Sequence, residues 1–111
     1  MTNQLNSTEP VELETIETTF WVEQYEALER LMKNEDFQTV ILKGYLEKKA
    51  LEGVSLLAVP AIKARGERPE VMEDLVAISN LKYHFEVIKN LGGVAKQDLE
   101  DAQFEEDSVE E

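Results

Sequence analysis

Charge is spread so unevenly along this chain that it restricts which residues can share a core. Residues 1–29 hold seven acids (Glu9, Glu12, Glu14, Glu17, Glu23, Glu26 and Glu29) and no Lys or Arg. Residues 94–111 hold eight acids and a single base, Lys96. Ten basic and nine acidic residues occupy the stretch between, so two flanks of −7 enclose a centre of +1 in a chain of net charge −13. Dense like charge opposes compaction, whereas a balanced, apolar-rich stretch permits it. The pattern divides the chain into a flexible arm over 1–14, a helical domain over 15–93 and an acidic tail over 94–111. With the flanks set aside, roughly 65–75 residues remain for packing, a size at which one hydrophobic core is marginal and self-association or a partner helps.

Composition removes several function classes. There is no cysteine, so disulfides, thiolate zinc sites and thiol chemistry are excluded. The amino terminus, MTNQLNSTEP, lacks the basic and apolar regions of a secretory signal, and no apolar run approaches the roughly 18 residues that span a bilayer. We therefore expect a protein of the cell interior that does not enter membranes. Direct nucleic-acid binding draws on Lys and Arg displacing counterions from phosphates. A chain of this charge is steered to basic surfaces instead, although acidic tails more often serve only solubility and solvation.

Apolar periodicity predicts three helices. Trp21, Tyr25, Leu28 and Met32 recur at steps of four, three and four, with Phe20 and Leu31 beside them, which predicts a helix over 16–33. Asn34, Glu35 and Asp36 break the pattern with cap-forming residues suited to the start of a helix. Phe37, Val40, Ile41, Gly44 and Tyr45, then Leu51, Val54, Leu57 and Ala58, predict a second helix over 35–58. Gly44 inside it fits either a close approach by a neighbouring backbone or simple tolerance. Pro60 ends this helix or bends it. Residues 59–68 read as a solvated connector with Lys63, Arg65 and Arg68, turning at Gly66. Pro69 opens a third helix with Glu70, Glu73 and Asp74 in its first turn. Its stripe is Val71, Leu75, Ile78, Leu81 or Lys82, Phe85 and Ile88, and Gly92 and Gly93 supply a stop near 91. Beyond them, Val94 to Glu111 reads as disordered or as a short frayed helix. The fold class is all-α, a three-helix arrangement built on an antiparallel hairpin.

No constellation with catalytic geometry emerges. His84 is the only histidine and has no nucleophile to serve, so it reads as a packing or surface residue. The terminal acids Glu105, Glu106, Asp107, Glu110 and Glu111 lack the alternating ligands and central glycine of a calcium loop. We assign no catalytic residue, cofactor or metal. Aromatic residues are enriched where proteins bind each other. Phe20, Trp21 and Tyr25 are the partner-binding candidates, since their helix joins an apolar face to an acidic arm. Filling a small core is the other use for them.

The segments Glu26-Ala27-Leu28-Glu29-Arg30-Leu31 and Asn34-x-Asp36-Phe37-x-x-Val40-Ile41-Leu42-x-Gly44-Tyr45, with Ile78, Leu81, Phe85, Ile88 and Gly92, resemble a small helical protein family of tailed bacteriophages. The resemblance covers roughly residues 20–95, the span of the three-helix pattern. It implies a product of virion structure or assembly regions, in the virion or the host cytoplasm, and brings no functional residues with it. The expected function is a non-enzymatic protein-protein interaction module, a minor virion component or morphogenesis factor that binds a phage structural protein. The alternative is an acidic early effector that covers the basic surface of a host nucleic-acid-binding protein.

Overall fold

The computed structural model describes the backbone of residues 9–110 and the side chains of residues 16–105. Every regular element among them is helical, as the 3.6-residue periodicity requires. In order they are α1 (Glu9–Met32), α2 (Glu35–Phe37), a π-helical stretch (Gln38–Lys49), α3 (Ala50–Leu57), α4 (Pro60–Ala64) and α5 (Arg68–Glu110). They form two compact units, one of Arg30–Glu86 and the other of the chain up to Glu29 together with the chain from Val87 onward.

In the Arg30–Glu86 unit, Asn34 performs the capping expected of it: its Oδ1 accepts from the Phe37 amide at 2.9 Å. Pairings then run in reverse order along the chain. The Phe37 and Phe85 rings meet edge to face at 5.9 Å, Gly53 packs against the Leu75 side chain, and the Arg68 Nε donates to the Leu57 carbonyl at 3.1 Å. The α2–α3 stretch and the first half of α5 therefore run antiparallel. Leu46, Ile62, Val71 and Ile78 are the buried apolar side chains here, each contributing roughly 1.5–3 kcal/mol by leaving water.

Two features of this unit depart from expectation. Leu51 and Val54, assigned to the inner side by a 3.6-residue period, are 69% and 58% exposed, while Leu46 and Gly53 face inward. The cause is the π stretch: its i→i+5 bonding places more residues in each turn and shifts the phase of everything after it. Gly44 lies within that stretch, and a Cβ there would meet only the carbonyl of Thr39, five residues back, at 3.3 Å. No neighbouring helix among the described residues approaches Gly44.

The connector is also more structured than a solvated loop. Pro60 opens α4, whose Ile62 is buried. Gly66 has φ +70°, the Gly66 amide donates to Lys63 O at 3.1 Å and the Glu67 amide donates to Ile62 O at 3.0 Å. This paired closure ends a helix through a glycine in the left-handed region, so Gly66 is the turn the sequence indicated.

The second unit shows the largest departure. No break occurs at Gly92 and Gly93, and α5 continues through both to Glu110. At the other flank α1 begins at Glu9, so residues 9–14 are helical and only 1–8 of the expected arm lie outside the described residues. The glycines serve packing: a Cβ on Gly92 would stand 2.5 Å from Tyr25 Cβ and 2.8 Å from the Trp21 carbonyl oxygen, so only glycine lets α1 come this close to α5. Val22, Leu28, Ile88 and Ala95 are buried in the same unit.

Gly93 differs from its neighbour. A Cβ there would sit 3.6 Å from Tyr25 Cε2, an ordinary contact, and alanine exceeds glycine in a helix interior by about 1 kcal/mol. Gly93→Ala should therefore raise the urea midpoint, measured by circular dichroism. A helix ending at Gly93 in a left-handed cap would give a loss instead.

Candidate protein-docking surface

The two units divide the charge completely. Arg30–Glu86 contains nine basic and nine acidic residues, whereas the chain up to Glu29 and from Val87 onward contains fifteen acids and two bases, Lys89 and Lys96. The whole net charge of −13 therefore belongs to one unit, the acidic unit, and the other is neutral. Parts of the two flanks, some sixty residues apart in sequence, meet where Trp21 and Tyr25 of α1 lie against Gly92 of α5 and Glu26 and Glu29 lie near Lys96.

Lys96 holds the centre of this surface. Its Nζ lies 3.8 Å from Glu26 Oε2 and 3.7 Å from Glu29 Oε1, and 5.6 Å from the centroid of the Tyr25 ring. Such partly exposed pairs contribute at most about 1 kcal/mol each. They set register more than stability. In the sequence Lys96 stands out as the lone base of the acidic tail, but its partners do not. Two acids three residues apart on α1, opposite one lysine in an otherwise acidic segment, were the available signal.

The three aromatic candidates occupy different environments. Tyr25 is half-buried, with its Cβ against Gly92 and its ring beside Lys96. Trp21 is half-buried, lends its carbonyl to the Gly92 contact and meets the Phe20 ring edge to face at 5.1 Å. Phe20 is half exposed. Phe20 thus presents apolar surface on the acidic unit, supported by Trp21, while Tyr25 also builds the helix contact.

Other candidate chemistry finds no site among the described residues. His84 is exposed, its ring 6.2 Å from that of Phe85. In the connector, Arg65 Nη2 donates to Glu67 Oε1 at 3.0 Å. That hydrogen bond, aided by the opposite charge, holds the Glu67 carboxyl below its usual range and raises the Arg65 guanidinium. Arg68 is engaged with the Leu57 carbonyl, so the three connector bases do not converge on an open anion site. No group of His, Asp and Glu among the described residues is arranged to hold a metal, and no described helix is long and apolar enough to cross a membrane. No known protein family, curated protein or solved structure matches the chain.

Fifteen acids against two bases make self-repulsion the dominant electrostatic effect in the acidic unit. Added salt shortens the screening length from about 30 Å at 0.01 M to about 3 Å at 1 M. Raising sodium chloride across that range should raise the thermal midpoint followed by circular dichroism. A fall would mean that the Lys96 pairs outweigh the repulsion.

Proposed function

We propose that the chain is a non-enzymatic protein-protein interaction module that docks on a cationic protein surface through its acidic unit. The observation supporting this reading is the segregation of charge: one unit is neutral and the other holds all of the −13. Complementary charge steers encounter and selects partners more than it adds raw affinity. In this reading the core is three long helical stretches on an antiparallel hairpin, and its acidic ends make the contact, with Phe20 and Trp21 as apolar anchors and Tyr25 holding them in place.

The resemblance to a tailed-phage family sets the context as a minor virion component or morphogenesis factor whose partner is a phage structural protein. The segregated charge equally favours a second setting, an early effector that covers the basic surface of a host nucleic-acid-binding protein, where carboxylates compete with phosphate. Pull-down of the full chain from infected-cell lysate, followed by mass spectrometry, separates them. A capsid, portal or tail protein supports assembly; a host nucleic-acid-binding protein whose DNA is displaced supports the effector. Joint replacement of the exposed Glu17, Glu23, Asp98, Asp101 and Glu105 by their amides should abolish capture in either setting. Capture undiminished by those changes would overturn the docking surface.

A further inference from the structure

We propose that the acidic unit receives a basic amphipathic helix of its partner in the apolar groove on one side of the α1–α5 pair, floored by Trp21, Leu28 and Ala95 and edged by Phe20 and Leu91. The inference rests on the docking reading above and adds the side and the partner chemistry that reading leaves open. The two helices close on each other where Tyr25 meets Gly92, and the contacts of Lys96 with Glu26 and Glu29 mark one side of that line. At about 100° per residue, Lys96 and Lys89 are turned towards that side by about 40° and 60° from Gly92, and Glu29 and Glu26 by about 40° and 100° from Tyr25. Turned the other way are Ala95 and Leu91 on α5, by about 60° and 100°, and Trp21, Leu28 and Phe20 on α1, by about 40°, 60° and 140°. Leu28 and Ala95 are buried, Trp21 is half-buried, and Phe20 and Leu91 are 49% and 48% exposed. The pair is thus ionic on one side and apolar on the other.

Charge selects the occupant. Both lysines of the acidic unit lie on the ionic side, so the charges bordering the groove are carboxylates. Glu17 stands about 80° from Tyr25 and Asp98 about 120° from Gly92, each turned to the groove's side, and both are exposed. A partner whose apolar face is flanked by Lys or Arg matches both features, whereas an acidic one is repelled and a purely apolar one covers carboxylates without a counter-charge. The walls decide its form. Helices bond their backbone groups internally, so the groove offers side chains and no open strand edge. A helix arrives with its own backbone equally satisfied and lays its apolar stripe between two others.

The probe is a synthetic helix of about eighteen residues, five turns, with leucines on one face and lysines on the other, titrated into the isotope-labelled full chain at low salt. The expected result is saturable binding, with nuclear Overhauser contacts from the peptide's leucine methyls to the Leu91 methyls and the Phe20 ring. Phe20→Ser with Leu91→Ser should weaken binding about tenfold or more, with helicity retained because both side chains are half exposed. Glu17→Gln with Asp98→Asn should weaken it severalfold, and Glu26→Gln with Glu29→Gln, the same change in net charge on the other side, less than about twofold. Peptide contacts on the Lys96 side, or binding indifferent to the serine pair, would overturn the groove and leave charge-directed docking standing. Failure of the peptide to bind would also overturn the groove, with the lysate capture still deciding the docking reading. Equal binding of a peptide carrying glutamates in place of the lysines would overturn both.

Discussion

Gly92→Ala should destabilise the protein by about 2 kcal/mol, although the same exchange in an open helix is stabilising. Alanine's helical preference contributes about 1 kcal/mol in its favour. Against it, inserting a methyl into a filled space typically costs about 1–3 kcal/mol and occasionally more. Both obstacles at Gly92 are stiff: Tyr25 Cβ at 2.5 Å is fixed to its backbone, and the Trp21 carbonyl at 2.8 Å is backbone. No side-chain rotation relieves them, so α1 and α5 must move apart, loosening the Lys96 contacts with Glu26 and Glu29. Urea denaturation gives the number, and hydrogen exchange locates it, with protection lost around residues 88–96 before the neutral unit is affected. A stability gain comparable to that of Gly93→Ala would remove the close contact from the account.

The second large effect lies in the other unit. Ile78 is 3% exposed, the lowest value among the buried apolar residues. Truncation of a buried isoleucine to alanine costs about 2–5 kcal/mol, through lost transfer free energy and the cavity left behind. No described side chain is wholly enclosed, so the site can relax and water can enter, which places the expected loss near 2–3 kcal/mol. The urea midpoint should fall with the slope unchanged, since the surface exposed on unfolding hardly alters. A loss under about 0.5 kcal/mol, the range of ordinary surface substitutions, would show that this face of α5 is not the packed one.

These expectations show which parts of the fold the residues announce. The stripe Val71, Leu75, Ile78, Leu81, Phe85 and Ile88 was legible because α5 keeps one period: Val71, Ile78 and Ile88 are buried and the others half-buried. Asn34 and Gly66 were legible because capping and left-handed turns have local chemistry. The inner face after Gln38 was not, since nothing in QTVILKGYLEKK declares a π register, and a 3.6-residue period carried through it assigns Leu51 and Val54 to the wrong side. Gly92 was misread for a related reason. Consecutive glycines indicate a stop when only neighbouring residues are considered, and the closeness of Trp21 and Tyr25 is a tertiary fact.

The charge pattern was legible as two flanks but not as one surface. Density of like charge favours separation, and it takes the close approach at Gly92, with Lys96 between Glu26 and Glu29, to hold the flanks together. Periodicity places Phe20, Trp21 and Tyr25 on one helix but cannot say that Tyr25 and Trp21 support the helix contact while Phe20 is half exposed.

The central claim is that the acidic stretches of α1 and α5 pack together where Trp21 and Tyr25 meet Gly92. The most direct measurement is a nuclear Overhauser spectrum of the isotope-labelled full chain, read for cross-peaks between the Gly92 α protons and the β and ring protons of Tyr25. Clear cross-peaks, with helical carbon shifts continuing through Gly92 and Gly93, are the expected result. Random-coil shifts beyond Gly92 and no contact to Tyr25 would contradict it, leaving two separate acidic arms.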